Sequence, residues 1–140
     1  MANYTRRKQI PQNSGGSYTP KGVTRPPRHV LKEKIGEMMR YAMPLVTAFP
    51  ARDRSIGDCL KMSMLNLLRL TIELDRAEDK HDVVKRLSIE FATLKELIVL
   101  ASDRDFYDRK YAPPLSMKRR EVWGRYNLEI ATMIESLEKA

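Results

Sequence analysis

Residues 82–102 read DVVKRLSIEFATLKELIVLAS. Within them Val84, Leu87, Phe91, Leu94, Ile98 and Ala101 recur at spacings of 3, 4, 3, 4 and 3. That period puts all six on one side of an α-helix, whereas a strand would scatter them over both faces. Leu97 and Leu100 widen the stripe. An isolated helix of this kind leaves its stripe in water, so the pattern demands partners.

The rest of the chain supplies three. Leu31, Ile35, Met38, Ala42, Leu45 and Phe49 step at 4, 3, 4, 3 and 4 and predict a helix over roughly 29–49. Pro44 lies inside it and should kink it or remove one hydrogen bond. Pro50 ends that helix or opens the next, where a missing N–H costs little. Ile56, Leu60, Ser63, Leu67, Leu70 and Leu74 seam a second helix over about 51–76, widened by Met64, Leu65, Leu68 and Ile72. Cys59 falls on this apolar stretch and is expected to be a small core residue. Asp75 to His81 reads as a polar turn. Pro113-Pro114 forbids helix in the next break, residues 103–115. Ser116 is the expected N-cap of a fourth helix, whose stripe is Trp123, Tyr126, Ile130, Met133 and Leu137. No window alternates with period two, so no strand is expected. Four helices of about 20 residues with short links make an all-α, antiparallel up-down four-helix bundle over 29–140.

The 140 residues, 42% hydrophobic and 31% charged, amount to one domain able to build a core. Apolar runs such as Leu97 to Ala101 fall far short of the ~20 residues that span a bilayer. Met1 to Gln9 are polar and basic, so no secretory signal is expected. The single Cys59 has no partner for an intramolecular disulfide. A reducing cytoplasm is the expected compartment.

Lys and Arg number 26 against 18 Asp and Glu, a formal charge of +8. The excess is concentrated. Residues 1–28 carry Arg6, Arg7, Lys8, Lys21, Arg25 and Arg28 and no acid. They also hold Ser14-Gly15-Gly16-Ser17, four prolines and almost no aliphatic side chains. Such a segment cannot offset the entropy of ordering itself, and the expectation is a disordered basic arm suited to a polyanion. Tyr4 and Tyr18 could stack on unpaired bases there.

On the helices, Arg52 and Arg54 open the second, and Lys118-Arg119-Arg120 open the fourth. Cations at a helix N-terminus oppose the macrodipole, which points to phosphates as the compensating partner. Lys61 and Arg69 on the second helix, with Lys85, Arg86 and Lys95 on the third, complete the candidate nucleic-acid contacts. The alternative is an ordinary solvated surface, because acids are interleaved.

Catalytic and metal patterns are missing. Neither His29 nor His81 has a Glu three positions before it, so the di-iron bundle pattern is absent. There is no His-Glu-x-x-His, no P-loop and no dinucleotide fingerprint. No metal, cofactor or catalytic residue is expected. One spacing needs weighing. Arg76-Ala77-Glu78-Asp79-Lys80-His81 has the Arg-x4-His separation of the helical HEPN ribonucleases, where His acts on the 2′-OH and Arg steadies the phosphate. Ala77 stands where that family favours a polar residue, and the stretch also reads as a solvated turn.

Several segments together resemble a known family. They are Tyr41-Ala42-Met43-Pro44-Leu45-Val46-Thr47-Ala48-Phe49-Pro50-Ala51-Arg52-Asp53-Arg54, then Leu67 to Leu74, Leu87 to Ala101, Pro114 to Lys118 and Glu129 to Ile134. The family is the four-helix-bundle group of Avd, the accessory variability determinant of diversity-generating retroelements. It also holds the proteins encoded in intervening sequences of bacterial 23S ribosomal RNA genes. The resemblance implies a non-enzymatic protein forming a homopentameric ring. It implies binding to the element's reverse transcriptase and template-repeat RNA, in support of mutagenic cDNA synthesis. The candidate cations would then dock RNA, cDNA or the acidic surface of the enzyme. Two departures stand out. Lys95 keeps the first of two arginines usual in the third helix, and Val99 replaces the second. Ala131-Thr132 and Glu135-Ser136-Leu137 stand where the family's last helix often carries glycine. Alternatives are an interaction module of the intervening-sequence type with no reverse transcriptase partner, and a HEPN-like ribonuclease using Arg76 and His81.

Overall fold

The computed structural model describes residues 27–107 and 110–140, with side chains from residue 30 onward. Four long helices make up nearly all of it: α1 (Pro27–Thr47), α2 (Arg54–Arg76), α3 (Lys80–Ser102) and α4 (Met117–Lys139). Single 3-10 turns follow α1 and α3, at Ala51–Asp53 and Arg104–Phe106. No strand occurs among the described residues. The basic arm expected over 1–28 lies outside them except for Pro27 and Arg28, which begin α1. A proline at the first helical position lacks only an N–H that would be orphaned anyway.

Each helix packs against two others: α1 on α2 and α4, and α3 on α2 and α4. The ring so closed encloses one core. Contacts at the ends give the directions. Tyr41 near the end of α1 donates to the Arg119 carbonyl at the start of α4, at 3.4 Å. Arg120 at the start of α4 donates to the Ser102 hydroxyl at the end of α3, at 2.9 Å. Arg86 near the start of α3 pairs with Glu73 near the end of α2. Successive helices therefore run antiparallel, as a four-helix bundle.

The α3 stripe is buried as its period requires, with Val83 added. The α2 seam is also buried where expected from Leu60 to Leu74, with Ile56 half-buried, whereas the α1 and α4 stripes each shift by a residue at some positions. In α1 the buried set is Leu31, Ile35, Met38, Ala42 and Val46, while Leu45 and Phe49 are half-buried at the rim. In α4 it is Trp123, Asn127, Ile130 and Ile134, with Tyr126, Met133 and Leu137 half-buried. A straight helix turns every 3.6 residues, so a strict 3.5 spacing drifts by ~20° per heptad and hands the core position to the next residue. In α2, Thr71 is fully buried in place of Ile72, and its hydroxyl donates to the Leu68 carbonyl at 2.6 Å. Leu65 and Ile72, expected to widen the core, are 47% and 43% exposed. Cys59 is exposed too, against the core expectation. Leu60 takes the core position, and one residue earlier is rotated by about 100°.

The joints are satisfied locally. The Ser116 hydroxyl accepts from the Arg119 N–H at 3.2 Å, so the expected cap of α4 is present. Asp79 caps α3 by accepting from the Asp82 N–H. The Lys80 ammonium donates to the carbonyls of Leu74 and Ala77 at 2.8 and 2.9 Å, closing the end of α2. Beside it Arg86 donates to Glu73 across the joint and to Asp82 on its own helix. A Cβ on Gly57 would lie 3.4 Å from Val46 and 3.6 Å from Phe49, so α1 and α2 meet closely there.

The Arg86 hydrogen bonds hold the Glu73 carboxyl below its ordinary value of 4.5. A depressed carboxylate stabilises the fold above its unfolded pKa and loses that contribution as pH falls through its folded pKa. Between about pH 5 and about pH 3 the melting temperature of Glu73→Gln should therefore fall less than that of the parent. Equal falls would show that the pair does not stabilise the joint. Separately, a thiol reagent should titrate Cys59 in native protein without denaturant; protection until unfolding would put it back in the core.

Candidate nucleic-acid and partner interface

The antiparallel arrangement sorts charge that looks interleaved along the chain. One half of the bundle holds the C-terminal ends of α1 and α3 and the N-terminal ends of α2 and α4. Its described residues (38–65, 92–107 and 110–128) include eleven Lys and Arg against six Asp and Glu. The opposite half (27–37, 66–91 and 129–140) has nine against eleven. On the second half Lys34 and Arg86 are drawn into ion pairs. Lys34 reaches Glu37 at 3.5 Å and Glu129 at 3.3 Å, and Arg86 holds Glu73 and Asp82. Partial burial opposes the charge on Lys34, but its two carboxylates outweigh that and raise its pKa.

Seven of the ten helix cations singled out by sequence fall on the basic half. Arg54 and Lys61, two turns apart on α2, line one cavity of about 390 Å³ at the α1–α2 corner, with Thr47 and Asp58. The Arg52 guanidinium lies 4.4 Å over the Tyr111 ring, and its Nε is 3.7 Å from Asp53. The Lys95 ammonium sits 4.8 Å over the Phe91 ring. Lys118 and Arg119 are exposed. Arg120 is half-buried against Ser102, beside the C-terminus of α3, where a cation is favoured. The neighbouring helix end thus offsets part of the macrodipole conflict of having Arg120 at an N-terminus.

Arg69, Lys85 and Arg86 lie on the opposite half, apart from these seven. Arg69 and Lys85 are exposed, while the guanidinium of Arg86 is occupied by two carboxylates. Arg76 ends α2 and His81 lies in the first turn of α3, both exposed. Between them the turn is organised around Lys80 and Asp79, which serve the joint. The sequence singles out neither Arg40 nor Arg104, and places Arg125 only farther along the fourth helix from Lys118-Arg119-Arg120; all three are exposed on the basic half. No period marks them; only helix direction gathers them at one end.

Beneath this end Asp53 is buried to 5% exposure. Burial and the Asp53 charge together push the Tyr107 hydroxyl above its ordinary value. Among the described residues no cluster of three or more His, Cys, Asp or Glu could hold a metal ion, and no helix is long and apolar enough to cross a membrane. With eleven cations against six acids, this end can attract polyanions.

Comparison with known proteins agrees with the helical span. No curated protein matches the chain significantly. A family model described as bAvd-like matches residues 29–140, from the first turn of α1 to the last residue after α4. By that match, which takes in all four helices of the bundle, the chain belongs to the bAvd-like family.

Proposed function

We propose that this protein is a non-enzymatic, cytoplasmic accessory protein of a diversity-generating retroelement. In this reading it binds the element's reverse transcriptase and template RNA, and supports mutagenic cDNA synthesis. Family membership supports the accessory role. The observation that carries RNA binding is the basic half of the bundle, where eleven cations outnumber six acids.

Phosphates would meet Arg52, Arg54, Lys61, Lys118 and Arg119 there, with Arg125 beside them. Lys95 and Arg120 lie on the same half, toward the α3–α4 seam. Arg69, Lys85 and Arg86 would contribute less, Arg86 least because it is engaged by carboxylates. The arm cations Arg6, Arg7, Lys8, Lys21, Arg25 and Arg28 would add affinity without reading sequence. A ring oligomer, a pentamer by family analogy, would multiply these contacts. Apolar residues left exposed on the outer face of α2 (Met62, Leu65 and Ile72) and on α3 (Ile89) provide surface for self-association.

The test is an RNA titration at several salt concentrations with the full chain and its template-repeat RNA. Each lost phosphate contact to single strands lowers the log-salt slope by about 0.7. The triple variant Lys118→Ala/Arg119→Ala/Arg125→Ala should lower it by about 2, and Arg86→Ala should leave it nearly unchanged. An unchanged slope in the triple variant would remove the basic half from the interface. Recovery of RNA without any reverse transcriptase from the native host would favour an interaction module of the intervening-sequence type.

A further inference from the structure

The four seams of the bundle are not equally filled. Between α1 and α4, Tyr41 and Tyr126 stack with ring centroids 5.4 Å apart. Between α3 and α4, the α4 side offers Gly124 and Ala131, and a groove of about 230 Å³ stays open. Ile98 and Val99 form one wall and Leu128 the other. A second hollow of about 460 Å³ shares Arg120 and Gly124 with the first and extends it to Met117. Met117 and Leu128 are 64% and 71% exposed. They stand eleven residues apart, about 16 Å or three turns along α4.

The chemistry of this trough is one-sided. Its apolar length is bordered by Lys95, Arg120 and Lys118, against the single acid Glu121. On its floor Asn127 is only 6% exposed.

We propose that this trough docks an amphipathic helix of a protein partner, with apolar anchors along one face and Asp or Glu on its flanks. It rests on the accessory reading and assigns the α3–α4 face to the protein partner, leaving RNA to cations away from the trough such as Arg52, Arg54 and Lys61. Length and shape suit three turns of helix with anchors at i, i+3, i+4 and i+7. The cationic border sets the sign of the flanks. The walls are aliphatic, with no aromatic ring on which an unpaired base would stack. A second copy docking through Leu65 and Ile72 of α2 is disfavoured by charge, because each is followed four positions on by arginine, Arg69 and Arg76. Residues 1–26 of the chain carry cations and no acid, so they meet the same repulsion.

Gly124 makes the experiment clean. A Cβ added there meets nothing within 4 Å, so Gly124→Leu starts its side chain in open space at the trough, where the two hollows meet. A melting temperature at or above the parent's, as expected when leucine replaces a glycine inside α4, confirms the fold. The probes are two fluorescent helical peptides with one leucine pattern, one flanked by Glu and one by Lys, and a single-stranded RNA. Anisotropy is read on the full chain at about 0.15 M salt. The Glu-flanked peptide should bind at least about tenfold more tightly than the Lys-flanked one. Gly124→Leu should weaken it by about tenfold or more and leave RNA affinity within about twofold. Equal binding of the two peptides, or indifference to Gly124→Leu, overturns the proposal. So does displacement of the peptide by RNA, which gives the trough to nucleic acid, and so does a changed oligomer mass in Gly124→Leu, which gives it to a second copy. Peptide binding that persists while all RNA and reverse transcriptase association is absent would sink the accessory reading alone.

Discussion

None of the four apolar stripes can be buried by the helix that carries it. Leu87 and Leu94 of α3, Leu60 and Leu67 of α2, Ile35 and Met38 of α1, and Trp123 and Ile130 of α4 reach zero exposure only because all four helices converge on one axis. Burial of apolar area, at about 25 cal/mol per Å², is the dominant favourable term available to a chain of this size. It commits one face of each helix and leaves the other to solvent. The charges are therefore confined to the outside, where geometry rather than sequence order decides which of them are neighbours.

That geometry separates two kinds of cation. Around the α2–α3 joint, Arg86, Glu73 and Asp82 are mutually engaged, and Lys80 holds two backbone carbonyls. These groups stabilise the turn and are costly to recruit for anything else. At the other end the cations outnumber the acids, so a surplus of positive charge faces solvent. Polyanions concentrate near such a surface through a long-range, salt-sensitive attraction. Arg120 shows how both roles can meet: its bond to Ser102 fixes the α3–α4 corner and holds its charge at the border of the open trough.

The same logic explains the apolar residues that remain outside. Met117 and Leu128 lie beyond the core sector of α4, beside Gly124 and Ala131, whose small side chains leave the seam unfilled. Leu65 and Ile72 lie on the back of α2. Solvation of large aliphatic groups is unfavourable, so contiguous exposed patches on a small bundle mark places that other molecules cover.

The period in residues 82–102 was enough to establish helix, and four such stripes with polar breaks were enough to establish a bundle. The helix joints were legible as well, because Pro113-Pro114 and Ser116 act through local backbone chemistry. What a repeat of 3 and 4 could not carry was which of two adjacent positions the packing buries. The drift between 3.5 and 3.6 residues per turn moved burial from Leu45 to Val46 and from Met133 to Ile134, while Cys59 and Ile72 lie outside because their neighbours Leu60 and Thr71 face the core. Sequence also displayed every cation of the candidate interface without its neighbours. Arg40 and Arg125 are far apart in the chain, and so are Arg86 and Glu73. Only the antiparallel packing of the helices decided which charges gather at one end and which neutralise each other. Period is a property of one helix, whereas electrostatic pairing is set by distances between helices.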